Sequence, residues 1–157
     1  MVFNYNKNKG FTLVELVTTI ILIGILAVVV LPRLIHVSSF SAYSVRSEII
    51  SELRTVQQRA LSNSDQCYRV AFKSSGYVMM SADRNASDCN AFIEVGQLTP
   101  WKNGVSVTSN SNQAFDVNFD ALGGIKLSNR CVGKCIKVTA DDSVVIELTT
   151  AGYISAS

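Results

Sequence analysis

The chain has 157 residues, 14 Lys and Arg against 12 Asp and Glu, a single His and four Cys. That length suits a stem and one small domain, and a formal net charge of +2 argues against a strongly basic nucleic-acid surface. The hydrophobic share of 48% is raised by one N-terminal run.

The first ten residues, Met1 to Gly10, are short and polar, with Lys7 and Lys9 and no acid. An apolar run of 21 residues follows, from Phe11 to Leu31. At about 1.5 Å per residue it spans roughly 31 Å as a helix, enough to cross a bilayer. Glu15 is the lone carboxylate inside it. An acid there costs about 2.5–3.5 kcal/mol on insertion scales, which suggests a functional reason for keeping it. Lys7 and Lys9 orient the segment with the leader cytoplasmic and the rest across the inner membrane. An ordinary secretory signal would have an apolar region of about 7–15 residues ending at a small-residue cleavage site. This run is longer, holds an acid and ends at Leu31-Pro32-Arg33.

The junction Lys9-Gly10-Phe11-Thr12-Leu13-Val14-Glu15-Leu16 resembles the class III signal of type IV pilins and type II secretion pseudopilins. The resemblance implies cleavage by a prepilin peptidase between Gly10 and Phe11, methylation of the new amino terminus at Phe11, and a filament-assembly role for Glu15. It also implies as partners membrane lipid before assembly, an inner-membrane assembly platform, and other pilin subunits met through the N-terminal helix. Two unit charges 4 Å apart attract by about 4 kcal/mol at an effective dielectric near 20, so the Phe11 amino terminus of a neighbouring subunit would offset much of the desolvation of Glu15. Removing Lys7 and Lys9 leaves 12 basic and 12 acidic residues (14 − 2 against 12), a neutral mature chain by side chains. The interval from Gly24 to Pro32 resembles the pilin segment that loses helicity in assembled filaments; a simple kink at the membrane surface is the alternative.

From Arg33 to Ser62 the pattern is helical. Val45, Ile49, Leu53, Val56 and Ala60 form one apolar stripe, leaving Arg46, Glu48, Glu52, Arg54 and Arg59 available to water. The serine-rich piece Ser38 to Ser44 is a weaker helix former. After Asn63-Ser64-Asp65 the period changes to two. Tyr68–Lys73 and Tyr77–Met80 read as a hairpin turning at Ser74-Ser75-Gly76. Ser81 to Thr99 is polar and irregular, and further strands are expected at Val105–Ser109, Phe115–Phe119, Ile125–Ser128, Ile136–Thr139 and Val144–Leu148, with Asp141-Asp142 turning between the last two.

Cys67, Cys89, Cys131 and Cys135 suit an oxidising compartment, and four cysteines allow three pairings. The two local ones, Cys67–Cys89 and Cys131–Cys135, are favoured. Zinc would call for two short Cys-x-x-Cys knuckles, which these spacings do not provide.

The C-terminal half carries a second resemblance. Val117-Asn118-Phe119-Asp120-Ala121-Leu122-Gly123-Gly124, Ile136-Lys137-Val138, Val145-Ile146-Glu147 and Ala151-Gly152-Tyr153-Ile154 look like the pattern of minor pilins and H-type pseudopilins. With the stem, the chain most resembles a minor pilin of the mannose-sensitive haemagglutinin type of type IV pilus. The implied fold is α+β and pilin-like: a long N-terminal helix, half membrane-spanning and half amphipathic, packed on an antiparallel sheet. The expected parts are a leader (1–10), a transmembrane or filament-core helix (11–31), an amphipathic stem (32–62) and a periplasmic β-rich domain (63–157). The implied location is the inner membrane before assembly and the surface filament afterwards. A minor pseudopilin of type II secretion, and a pilus-associated adhesin or DNA-uptake subunit, are the alternatives.

Residues for catalysis, cofactors or metals are not in evidence. His36 has no cysteine or histidine at ligand spacing. No Gly-rich phosphate loop, Gly-x-Ser-x-Gly elbow or His-Glu-x-x-His appears. Asp116 with Asp120, and Asp141 with Asp142, lack the dense spacing of a calcium loop and read as solvated carboxylates. Trp101, after Pro100, reads as a packing residue rather than a contact anchor.

Overall fold

The computed structural model describes residues 10–35, 38–84, 89 and 91–157, with the side chains of residues 28–41 outside that description. His36 is thus outside the described residues. The chain divides into two compact units, Met1–Val37 and Ser38–Ser157.

The N-terminal unit contains α1 (Leu13–Ile35). Among the described residues the C-terminal unit contains α2 (Ser38–Ser62) and ten strands: β1 (Gln66–Lys73), β2 (Gly76–Asp83), β3 (Ile93–Glu94), β4 (Thr99–Pro100), β5 (Ser106–Ser109), β6 (Phe115–Phe119), β7 (Ile125–Leu127), β8 (Gly133–Thr139), β9 (Ser143–Leu148) and β10 (Ile154–Ala156).

The stripe on α2 determines how this second unit packs. Val45, Ile49, Leu53, Val56 and Ala60 recur at helical spacing, and all are buried. They lie against strands of two sheets, since α2 meets β1, β6, β8, β9 and β10. One sheet has six strands in the order β3-β2-β1-β6-β7, with β4 also paired to β2; the other runs β10-β9-β8-β5. Every pairing is antiparallel. The antiparallel β-sheet domain expected from the sequence is present and is divided into two sheets. Alternation tells which face of a strand is buried, but not which strands share a sheet.

The two sheets and α2 share one core. Phe72 stacks on Phe115 with ring centroids 4.5 Å apart, and Val70, Val117, Val138, Ile136 and Ile146 lie beside the helix stripe in the same cluster. Trp101 packs at its margin, 5.3 Å from Tyr77 by centroids, and its indole N–H donates to the Lys73 carbonyl at 2.9 Å.

The β1–β2 hairpin is buried on both faces. Cys67, Ala71, Val78 and Ala82, on the face away from α2, are as buried as core residues. That face is covered from the stretch expected to be irregular. Within it β2 continues to Asp83, β3 and β4 line its edge, Cys89 is bonded to Cys67, and the Phe92 ring lies 4.1 Å from the Arg69 guanidinium. Strands of two residues, one of them containing Pro100, leave no period to read.

The polar face of α2 is not simply solvated. Arg54 donates to the Ile154 carbonyl at 2.9 Å, and Arg46 to that of Ser157 at 3.2 Å. These bonds meet the outer edge of β10 and the residue after it; among the described residues β10 pairs with β9 alone. Gln57 donates to the carbonyls of Gly123 and Gly152, both at 2.7 Å. Gly152 has φ +94°, and a Cβ there would collide with the Gly123 carbonyl. The glycine loop after β6 and the glycine turn before β10 thus meet at one helix residue. That contact is the physical content of the C-terminal pattern singled out in the sequence.

Cys131 is joined to Cys135, and the register of β8 on β9 slips between Lys134 and Ile136. The bridge therefore ties Cys135, the extra residue of a β-bulge, to the loop before the strand.

Candidate functional site at the capped N-terminal helix

Gly10 and Phe11 precede α1 and are exposed, Phe11 by 79%. The helix begins at Leu13 because Thr12 caps it. The Thr12 hydroxyl oxygen accepts from the backbone N–H of Glu15 at 3.2 Å, and the Thr12 carbonyl accepts from that of Leu16 at 3.2 Å. Glu15 is thereby the third helical residue, the acid position of a capping box, where a carboxylate also meets the positive end of the helix dipole. The sequence carries this signal as Thr12-x-x-Glu15, and attention to Glu15 as an intramembrane acid alone overlooks it.

The rest of the described helix surface is apolar. Ile20, Ile21, Leu22 and Ile23 are consecutive, point around the full circumference, and are all more than half exposed. Thr18 and Thr19 turn their hydroxyls inward, donating to the carbonyls of Glu15 at 3.0 Å and Leu16 at 2.8 Å. Glu15 is consequently the one charged side chain between Leu13 and Ala27. A helix that is apolar all round needs an apolar environment, supplied by lipid or by other helices. Among the described residues no helix is long and apolar enough to cross a membrane, and the side chains of the expected Phe11–Leu31 span are described only as far as Ala27. The helix runs through Gly24 and Pro32 to Ile35. Nothing lies within 4 Å of where a Cβ would stand on Gly10 or Gly24, so the contacts described give no reason for glycine at either position.

The other singled-out residues have structural roles. Asp116 pairs with Arg69 at 3.1 Å, and Asp120 accepts from the backbone N–H groups of Leu122 and Gly124 at 2.8 Å each, holding the loop after β6. Asp142 accepts from the Ser143 N–H at 2.9 Å in the β8–β9 turn, next to Asp141. The buried Tyr77 hydroxyl donates to the Glu48 carboxylate at 2.9 Å. Burial, and then the adjacent carboxylate, push the phenol pKa well above its ordinary value of 10.0.

Residues 5–31 match the family described as the prokaryotic N-terminal methylation motif. No curated protein and no solved structure matches the chain. The matched segment runs from residue 5 into α1. It supports the class III signal of a type IV pilin or pseudopilin, a structural class rather than an enzymatic one, processed by a prepilin peptidase and associating with other pilin subunits.

Proposed function

We propose that this chain is a minor pilin that primes, caps or joins a type IV pilus of the mannose-sensitive haemagglutinin type. The observation that carries the reading is the methylation motif running directly into a capped helix whose apolar side chains are exposed on every side. In this reading the peptidase cuts between Gly10 and Phe11, Phe11 is methylated, and residues 11–31 wait in the inner membrane with the C-terminal unit in the periplasm. On assembly α1 leaves lipid for a bundle of like helices, with the segment from Gly24 to Pro32 adapting to the filament. Glu15 registers against the amino terminus of a neighbouring subunit. The cap suits that role: Thr12 starts the helix with its own hydroxyl and carbonyl, and among the described residues the Glu15 carboxylate is in no salt bridge that would compete with an intermolecular pair.

The test is a count of surface pili by electron microscopy on cells lacking the protein and on the same cells complemented with it. Loss of pili restored by complementation is the expected result. Unchanged pili together with a defect in protein secretion would transfer the chain to the pseudopilins of type II secretion, which carry the same motif.

A further inference from the structure

The face of the six-stranded sheet turned away from α2 carries a groove of about 480 Å³ across β1, β6 and β7, within the size range of small-ligand sites. Its chemistry follows from the register. Asn118 stands beside Arg69 on one side and Lys126 on the other, placing all three on the same face in one row. One wall is the Cys67–Cys89 bridge with Phe92, and at the far side Arg130 takes a left-handed conformation, φ +58°. Lys126 and Arg130 are both exposed, and among the described residues neither is in a salt bridge. The neighbouring cation, Arg69, is already neutralised by Asp116. The described lining therefore holds two uncompensated positive charges and no carboxylate.

We infer that this groove binds a carboxylate-bearing sugar unit of an acidic surface glycan. Lys126 and Arg130 would pair with the carboxylate. The Ser128 hydroxyl oxygen accepts from the Asp116 N–H at 2.9 Å, which leaves its own proton to donate to a sugar oxygen. Asn118 spends its amide N–H on the Lys126 carbonyl at 3.2 Å, which leaves its oxygen to accept from a sugar hydroxyl. Phe92, half-buried on the wall, has the Arg69 guanidinium over one ring face at 4.1 Å and leaves its remaining apolar surface for a sugar ring. Two cations are too few for a nucleic-acid backbone, where binding proteins commonly neutralise about 6–10 phosphates. An open groove joining donors, an acceptor and an aromatic wall suits one charged sugar better than a polyanion held by charge alone. The inference does not rest on the role proposed for α1.

The test titrates the full chain in detergent with trigalacturonate, with neutral trigalactose and a short single-stranded oligonucleotide as comparators. Saturable binding of trigalacturonate is expected, at least tenfold tighter than trigalactose. Lys126→Gln with Arg130→Gln should weaken it at least tenfold, with an unchanged thermal midpoint because both side chains are exposed. Phe92→Leu should weaken it while keeping the charges. The inference is overturned by absence of trigalacturonate binding, by unchanged affinity in the double variant or in Phe92→Leu, or by tighter binding of the oligonucleotide.

Discussion

The two helices are nearly equal in length, 23 residues in α1 and 25 in α2, yet they are stabilised in opposite ways. On α2 the apolar residues keep to one stripe, and two sheets of the same chain bury it. On α1 they cover every side and stay exposed, interrupted only by Glu15 over the described stretch. The first helix therefore takes its solvent from outside the chain, and the second finds it in its own fold. An apolar face closed by its own strands contributes to stability; one left open is available for lipid or for assembly.

The contrast breaks most visibly in the core. Leu53 is fully buried, so Leu53→Ala should lower the unfolding free energy of the C-terminal unit by about 2–5 kcal/mol. Leu22→Ala on α1, 59% exposed, should change it by less than about 0.5 kcal/mol. Urea titrations in detergent compare the two, and equal losses would erase the distinction. Glu15→Ala should reverse the pattern. It should leave the urea midpoint and membrane insertion alone and reduce the chain recovered in sheared filaments about tenfold or more, the equivalent of about 1.4 kcal/mol of lost pairing. Normal incorporation would defeat the role proposed for the carboxylate.

Alkaline pH sharpens the comparison further. Tyr77 sits against Glu48 of α2 with its pKa raised, so the folded state holds the neutral phenol while the unfolded chain ionises near 10.0. Its contribution is fully present below pH 10.0 and is lost as pH rises above it. The thermal midpoint of the native chain should fall more steeply above that pH than that of Tyr77→Phe, and parallel curves would remove the phenol from the account. The smallest effect belongs to the cap. Thr12→Ala should cost the start of α1 about 1 kcal/mol, read as roughly fivefold faster hydrogen exchange at the Glu15 and Leu16 amides, with the C-terminal unit unchanged.

Much of this architecture is legible in the residues. The period of four, four, three and four from Val45 to Ala60 marks the buried face of α2, and strict alternation from Tyr68 to Lys73 marks a strand. Local pairing of the cysteines matches the bridges present. What escapes has particular causes. Arg46, Arg54 and Gln57 sit at positions a helical wheel assigns to water, yet they bond backbone carbonyls roughly 66 to 111 residues away, a distance no local pattern encodes. The division into two sheets depends on where β5 pairs, and β5 skips its sequence neighbours to join β8. At the N-terminus Thr12 is overlooked because a hydroxyl in an apolar run looks incidental until the helix start is fixed. The groove between Phe92 and Arg130 depends on a cross-strand row through Asn118 and on a left-handed arginine, and neither leaves a mark along the chain.

The bonds from Arg54 and Gln57 to the last glycine turn and the last strand have a temporal consequence. A chain emerging from the ribosome presents α1 complete within its first few dozen residues. The C-terminal unit has no such early finish. Its helix waits through almost a hundred further residues for β10, the strand that closes one of its sheets and occupies its arginines. The first helix is therefore finished before the second unit can close, and a product cut short before Ile154 would keep α1 while lacking the final clasp on α2.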